Sequence, residues 1–193
     1  MVHVNGPKKN SFTATTGLKQ AFQSHNIVLI GMPGSGKTTL AKLLSEHMTR
    51  QVVDTDVVIT QNYGDIPSLF TVSEDHFRKI ETEVIRKASL AQGTIIATGG
   101  GAVTRPENMD YLARRGIVFF IDRPIELLYQ EVEIEDRPLL TDNRDHILEL
   151  YNQRLPLYRQ FSHHTINNSG TKKEAVDQFV AILKEKYGLQ NNQ

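Results

Sequence analysis

The stretch Gly31-Met32-Pro33-Gly34-Ser35-Gly36-Lys37-Thr38 decides the fold of this 193-residue chain. It follows the apolar run Ile27–Ile30 and precedes Thr39–Leu44, where the leucines keep helical spacing. This order of strand, glycine-rich loop and helix fits G-x-x-x-x-G-K-[ST] at every fixed position. The glycines let successive backbone N–H groups point at one phosphate, and the helix N-terminus adds partial positive charge. The stretch therefore predicts a site for a nucleoside triphosphate.

Particular side chains of this phosphate loop (Gly31–Thr38) carry the expected contacts. Lys37 is expected to reach the β- and γ-phosphates, and the Thr38 hydroxyl is expected to ligate Mg²⁺. A plain turn between a strand and a helix is the alternative, but the context on both sides favours phosphate binding. The predicted ATP contacts of this region are Gly34, Ser35, Gly36, Lys37, Thr38 and Thr39.

Composition is that of an ordinary globular domain. Hydrophobic residues make up 39% of the chain, and 22 Lys and Arg balance 22 Asp and Glu, so net charge indicates neither nucleic acid nor an anionic membrane as partner. The chain has no cysteine, which excludes disulfides and cysteine nucleophiles. No apolar run approaches the roughly 18 residues of a membrane span. We expect a cytoplasmic monomer.

Domain boundaries are predicted from composition. We expect residues 1–25 to be an N-terminal extension of unassigned role, residues 26–188 a single domain, and 189–193 a tail. The opening is poor in acidic residues and rich in Ser and Thr. This also fits an organelle transit peptide, although no arginine precedes Arg50. A short helix through Leu18, Ala21 and Phe22 is a further expectation.

Apolar runs alternate with helical patterns along the domain. Further strands are predicted at 51–56, 94–97, 117–121 and near 164–166. Helices are predicted at 77–90, 124–131 and 142–161 and at the C-terminal end, and residues 57–75 predict short helices joined by turns. Continuous apolar strands separated by helices indicate an α/β fold of three layers, with a parallel sheet covered on both faces. With the phosphate loop after the first strand, the fold is of the P-loop NTPase type.

Ligands of such sheets bind at the carboxyl ends of the strands. Asp54 and Asp56 end the second strand, and strand geometry would project both from one face, about 7 Å apart. One suits Mg²⁺, and the other can accept a hydrogen bond from an acceptor hydroxyl and help to remove its proton. The alternative is a solvated pair that caps the next helix. The glycine turn Thr98–Gly101 is a weaker signal, a place where a polyol can approach the backbone closely.

Arginines predict the acceptor. Arg78 and Glu81 are three residues apart and can pair along a helix. Arg154 lies in an otherwise apolar helical stripe, and a buried guanidinium needs a partner. That partner comes from elsewhere in the core or is an anion of a ligand. The two-pronged guanidinium of arginine suits a carboxylate. Two arginines aimed at one carboxylate predict a small acid as acceptor. The other members of the stripe are Ile147, Tyr151 and Tyr158.

Arg137 interrupts a strongly acidic connector that contains Glu131, Glu133, Glu135 and Asp136. A loop with one arginine fits a lid that closes over ATP and neutralises charge on the transferring phosphoryl group. An exposed loop with an ordinary surface arginine is the alternative.

Together these motifs resemble the shikimate kinase family, in the family's order and from about Asn26 to near the C-terminus. The resemblance implies transfer of the ATP γ-phosphate to the 3-hydroxyl of shikimate, the fifth step of chorismate biosynthesis. It also implies a five-stranded parallel sheet in the order 2-3-1-4-5 with a lid loop. The matching segments are Gly-Met-Pro-Gly-Ser-Gly-Lys-Thr-Thr at 31–39, Asp-Thr-Asp at 54–56, Phe-Arg-x-x-Glu at 77–81, Thr-Gly-Gly-Gly at 98–101, Arg-Pro-Leu-Leu at 137–140 and Arg-x-Pro-Leu-Tyr at 154–158.

The resemblance also implies a role for each matched residue. Mg²⁺ is served by Thr38 and by Asp54, the latter through water, while Asp56 holds the acceptor hydroxyl and is the candidate base. Lys37 and Arg137 stabilise the transferring phosphoryl group. The remaining implied contacts are with shikimate: Arg78 and Arg154 on its carboxylate, Gly100 and Gly101 on the substrate, and Glu81 orienting Arg78.

The chain departs from the family pattern at Gln130, where many members have an arginine that packs on adenine. Its lid is also unusually acidic. Three rival functions stay open: another P-loop kinase, such as one for gluconate or a nucleoside monophosphate, a non-catalytic nucleotide-binding module, and a GTPase. The GTPase is disfavoured because no Asn-Lys-x-Asp segment occurs. The Phe-Arg-x-x-Glu and Thr-Gly-Gly-Gly pair favours shikimate.

Overall fold

Five parallel strands form one sheet at the centre of the structure, a computed structural model that describes residues 23–134 and 144–188. The strand order is β2-β3-β1-β4-β5, so the predicted order 2-3-1-4-5 is confirmed. The strands are β1 (Asn26–Ile30), β2 (Val52–Asp54), β3 (Ile95–Ala97), β4 (Gly116–Asp122) and β5 (His164–Asn167).

Helices connect the strands, and the predicted helical segments are confirmed with boundaries shifted by a few residues. Within the described residues, none of them is long and apolar enough to cross a membrane. The predicted short helix through Leu18 and Phe22, and the lid residues 135–143, lie outside the described part of the chain. The helices are α1 (Lys37–Met48), α2 (Thr55–Tyr63), α3 (Ile66–Val72), α4 (Glu74–Ser89), α5 (Pro106–Ala113), α6 (Ile125–Ile134), α7 (Arg144–Phe161) and α8 (Lys172–Tyr187), with a 3₁₀ turn at Ala102–Thr104.

The two faces of the sheet carry separate apolar cores because successive strand residues point to opposite faces. Ile27 and Leu29 of β1 pack with residues of α1 and α8, such as Leu44 and Phe179. Val28 and Ile30 pack on the other face with α4, α5 and α7. Helices therefore cover both faces, as predicted. A third cluster packs α2, α3 and α4 against one another.

Strand β2 is less buried than predicted, since the pattern at 51–56 predicts a short buried strand. All three of its residues are only half-buried, because β2 is an edge strand that pairs with β3 alone. Its register nevertheless aligns Asp54 with Ala97 of β3, and Leu29 of β1 pairs with the same Ala97. The segments that follow β1, β2 and β3 therefore leave the sheet at one level. This alignment brings the phosphate loop, Asp54 and the glycine turn together.

Candidate active site

The phosphate loop is held by its own backbone and by a distant asparagine. Lys37 is 8% exposed, and its Nζ donates hydrogen bonds to the carbonyl oxygens of Gly31 at 2.9 Å and Met32 at 2.7 Å. Gly36 precedes α1 with a φ of 90°, in the left-handed region. A side chain at Gly36 would also meet the Asn168 amide, so both conformation and space require glycine there.

Thr38 and Asp54 are joined directly. The Thr38 hydroxyl donates to Asp54 Oδ2 at 2.6 Å, while Asp54 Oδ1 accepts the backbone N–H groups of Asp56 at 3.0 Å and Val57 at 3.4 Å. Asp54 is thus the N-cap of α2, and Asp56 lies in the first turn of that helix. The expectation that strand geometry continues through both carboxylates is therefore wrong, because the Asp54 cap starts a helix there. The capping alternative is observed, and the same carboxylate also faces the phosphate loop.

Asp56 faces the glycine turn Thr98–Gly101. The turn is anchored at its start, where Thr98 Oγ1 donates to the Leu29 carbonyl at 3.1 Å and the Gly99 N–H donates to Thr55 Oγ1 at 3.1 Å. A Cβ added at Gly99 would lie 2.6 Å from Asp56 Oδ1 and 3.0 Å from Glu81 Oε1. Two carboxylates from different helices therefore converge on this turn.

Arg78 is buried beside the same turn, with 7% of its surface exposed. Its Nη1 donates to Glu81 Oε2 at 2.7 Å and its Nε donates to Glu74 Oε1 at 3.3 Å. The guanidinium carbon lies 5.1 Å from the centroid of the Phe77 ring. A side chain at Gly101 would collide with this guanidinium, so glycine allows the arginine to reach the turn. The predicted pairing of Arg78 with Glu81 is present.

Glu81 is an acid in an apolar setting, 1% exposed. Burial raises the pKa of its carboxyl, and the negative charge of the nearby Asp56 raises it further. The positive charge of Arg78 lowers this pKa, but by less than burial raises it. Among the described residues, Glu81 Oε1 has no hydrogen-bond partner. The group is thus held by Arg78 on one oxygen and faces Gly99 with the other.

Arg154 is half-buried, so it is less buried than its place in an apolar stripe suggests. In its stripe on α7, Ile147 and Tyr158 are buried. Arg154 is close enough to act electrostatically on the Tyr158 hydroxyl and the Glu81 carboxyl. Burial raises the pKa of both groups, and the positive charge of Arg154 lowers both by a smaller amount. Arg154 therefore has polar groups of the chain near it, Glu81 and Tyr158, and is still partly exposed to solvent.

One cleft of about 510 Å³ joins most of these groups. Asp56, Thr98 and Gly100 line it together with the phosphate loop, whereas Arg78, Gly101 and Arg154 are not among its lining residues. Arg78 contacts the turn at Gly101, and the charge of Arg154 acts on Glu81. Arg137 lies outside the described residues, as does the side chain of Gln130. The members of the phosphate-binding side that line the cleft are Gly34, Gly36, Lys37, Thr38, Thr39 and Asp54.

Sequence reasoning missed the wall of the cleft that follows β4 and β5. Asn168 is 5% exposed, and its Nδ2 donates to the Ser35 carbonyl at 2.8 Å while its backbone N–H donates to the Asp122 carbonyl at 2.7 Å. Arg123 and Lys172 line the same cleft. The rule that ligands bind at the carboxyl ends of strands pointed to this segment, since Asn168 directly follows β5.

The fold and the cleft define a P-loop phosphotransferase of small molecules. The family model for shikimate kinase matches residues 33–184. A shikimate kinase of Clostridium beijerinckii is 40% identical over 160 residues, which cover 82% of this chain and 95% of that protein. This chain belongs to the shikimate kinase family, and it is a kinase.

Solved structures agree with the family assignment. Shikimate kinase from Acinetobacter baumannii, in complex with shikimate, has a TM-score of 0.79 and 35% identity, and the match covers 89% of this chain and 99% of that chain. A gluconokinase from Sinorhizobium meliloti is 13% identical with a TM-score of 0.58, covering 86% of this chain and 95% of that one, which shows a shared fold alone. The predicted resemblance to shikimate kinases is confirmed.

Proposed function

We propose that this chain transfers the γ-phosphate of ATP to the 3-hydroxyl of shikimate, giving shikimate 3-phosphate and ADP. The observation that carries the proposal is the convergence of Asp56, Arg78 and Glu81 on a glycine turn that faces the phosphate loop. The Acinetobacter baumannii relative with shikimate bound supports this acceptor. Such an arrangement holds a donor phosphate on one wall of a cleft and a hydroxy acid on the other.

On the donor side, Gly34–Thr39 bind the triphosphate through backbone N–H groups, and the Lys37 ammonium contacts the β- and γ-phosphates. Mg²⁺ fits the donor set of Thr38 and Asp54, because a hydroxyl and a carboxylate oxygen 2.6 Å apart are hard ligands beside the phosphates. When bound, the ion neutralises charge on the β- and γ-phosphates.

On the acceptor side, Arg78 and Arg154 bind the shikimate carboxylate, and Gly100 and Gly101 contact the substrate. Asp56 accepts the hydrogen bond of the 3-hydroxyl and takes its proton as the oxygen attacks phosphorus. Glu81 keeps the Arg78 fork oriented through the 2.7 Å contact at Nη1. In-line attack needs both substrates fixed, and these contacts fix the acceptor while the phosphate loop fixes the donor.

The proposal also includes two features that rest on the sequence expectations. Arg137, whose role is inferred from the sequence, stabilises the charge of the transferring phosphoryl group. The chain acts as a cytoplasmic monomer, with residues 26–188 as the catalytic domain.

An acceptor screen tests the proposed function. ADP release is measured with MgATP and, in separate reactions, shikimate, gluconate or a nucleoside monophosphate. We expect turnover in the reaction with shikimate and none with the other two acceptors. Turnover with gluconate but none with shikimate would refute the proposal. A protein that binds ATP and shikimate but forms no phosphate ester would be a non-catalytic module.

Matched variants on α1 show that the ADP comes from this site. Lys37→Ala should abolish turnover, whereas Lys42→Ala, on the exposed face of the same helix, should leave it unchanged. Equal activity of both variants would assign the turnover to a contaminant.

A further inference from the structure

Tyr158 makes a buried contact that the proposed reaction does not use. The side chain is 1% exposed, and its hydroxyl donates a 2.6 Å hydrogen bond to the carbonyl oxygen of Gly100. Its ring stacks on Phe120 of β4, with centroids 5.1 Å apart and planes 14° from parallel. The stacked ring has one orientation, so the hydroxyl is held at a fixed point.

That point is a junction of three parts of the site. The Tyr158 hydroxyl also lies 3.7 Å from Met32 Sδ in the phosphate loop. Pro33 of the same loop packs directly on Gly100, where an added side chain would collide with it. Arg154 lies one helical turn before Tyr158 on α7, and its charge reaches the phenol. The tyrosine, which lies on the same helix as Arg154, therefore contacts both the donor loop and the acceptor turn.

The three glycines of the turn have no side chains with which to hold their positions. Thr98 and Gly99 are anchored at the start of the turn by Leu29 and Thr55. Gly100 lines the cleft, as Thr98 does, and its carbonyl accepts a hydrogen bond from Tyr158. The carbonyls of Gly99 and Gly101 accept from Ala102 and Thr104, which follow the turn directly. Removing the Tyr158 hydroxyl leaves the Gly100 carbonyl without this donor and removes the hydrogen bond that ties the turn to α7.

We propose that Tyr158 is a positioning residue for the acceptor: its hydroxyl fixes the Gly100 backbone relative to Arg154, and thereby sets the width of the acceptor half of the cleft. This inference rests on the proposed function. It assigns to the last residue of the Arg-x-Pro-Leu-Tyr segment a role that differs from core packing. Core packing needs the ring alone, whereas positioning needs the hydroxyl.

Tyr158→Phe separates the two roles because it keeps the ring and removes the hydroxyl. We expect KM for shikimate to rise about tenfold, the factor that corresponds to one hydrogen bond of about 1.4 kcal/mol. KM for ATP should stay within about twofold, because the phosphate loop has its own anchors at Lys37 and Asn168. A KM for shikimate that does not change, or an equal rise of both KM values, would overturn the proposal.

Tyr187→Phe is the matched control. Its hydroxyl lies 2.7 Å from Nε2 of His164 on β5, away from the cleft lining. This variant loses a tyrosine hydroxyl contact of similar length, so it reports the general cost of such a loss. We expect its KM for shikimate to equal that of the wild type, and a rise as large as that of Tyr158→Phe would argue against a specific role for Tyr158.

Rescue by a substituted donor completes the test. Tyr158→4-aminophenylalanine keeps the ring and restores an N–H donor at the same place, so it decides the question even where Tyr158→Phe folds poorly. A KM for shikimate within about threefold of the wild type supports positioning through the hydrogen bond, and a tenfold rise contradicts it. If the wild type does not phosphorylate shikimate, the proposed function fails, and the same comparison with the acceptor found in the screen decides the role of Tyr158.

Discussion

The Asn168 amide and the Ser35 carbonyl are joined by a 2.8 Å hydrogen bond across 133 residues of sequence. The bond ties the segment after β5 to the phosphate loop, and Gly36 provides the space in which the amide lies. Both partners are buried, so neither can exchange the contact for water at low cost. Asn168 is therefore part of the structure that shapes the phosphate loop.

Asn168→Ala should weaken nucleotide binding. Loss of the amide leaves the buried Ser35 carbonyl without this donor, at a cost of about 1–3 kcal/mol shared between folding and ATP binding. We expect a higher KM for ATP, a lower melting temperature and an almost unchanged KM for shikimate. Asn152→Ala, at an exposed position on α7, is the control for both measurements. A larger effect on shikimate than on ATP would contradict this role.

Thr38→Val should raise the concentration of Mg²⁺ needed for half-maximal turnover. The change keeps the shape of the side chain but removes the hydroxyl that contacts Asp54 at 2.6 Å. The activity of the variant is titrated with Mg²⁺ at saturating ATP and shikimate. Thr71→Val, which removes an exposed hydroxyl that donates to the Ser68 carbonyl, should behave as the wild type. An unchanged Mg²⁺ requirement in Thr38→Val would remove Thr38 from the metal site.

Asp56→Asn should lower kcat by about 10²–10⁴-fold, the usual contribution of a general base. The amide keeps the size and a hydrogen-bonding oxygen, so KM for shikimate should change little. Asp65→Asn alters an exposed carboxylate that caps α3, and asparagine caps a helix equally well. Turnover of Asp56→Asn at the rate of this control would exclude Asp56 from the proton transfer.

Arg154→Ala should weaken shikimate binding by about 1.5–3 kcal/mol, the range for a hydrogen bond to a charged group. ATP binding should be nearly unaffected, since Arg154 adjoins the acceptor side. Isothermal titration with each ligand measures both affinities. The control is Arg159→Ala, an exposed arginine on the same helix, for which we expect neither affinity to change. Equal losses for the two ligands in Arg154→Ala would refute a carboxylate contact.

Glu81→Gln should change how stability depends on pH. Because burial raises the folded-state pKa above the unfolded value near 4.5, ionised Glu81 is disfavoured in the folded chain. Relative to the variant, the wild type should have its highest unfolding free energy below pH 4.5 and lose this advantage as pH rises through the folded pKa. Urea unfolding of both proteins across this range measures the difference.

Glu83→Gln provides a control of opposite sign. The exposed Glu83 is hydrogen-bonded to Lys87, which lowers the pKa of its carboxyl. Any pH-dependent difference for this variant should therefore be small and should appear as pH falls below the unfolded value. A difference for Glu81→Gln that grows in favour of the wild type as pH rises would contradict the raised pKa of Glu81.

The fold was readable from the sequence because its signals are local. Strand β1, the phosphate loop and α1 follow one another without a gap, and the alternation of apolar runs with helical spacing fixes a parallel sheet. The motif order from Asp54 to Tyr158 also indicated the family. The error at Asp56 arose because the side chain of Asp54 caps a helix, and a two-residue spacing does not distinguish a continued strand from a capped turn.

The sequence by itself predicted a site for a nucleoside triphosphate, since a phosphate loop is a contiguous motif. The order of the motifs from Asp54 to Tyr158 indicated the shikimate kinase family. Only the tertiary structure decided which distant residues support that loop and the acceptor turn. Asn168 reaches Ser35, and Tyr158 reaches Gly100, through contacts between segments far apart in the chain. Such contacts depend on the register of parallel strands and on helix packing, which no local spacing in a single sequence encodes.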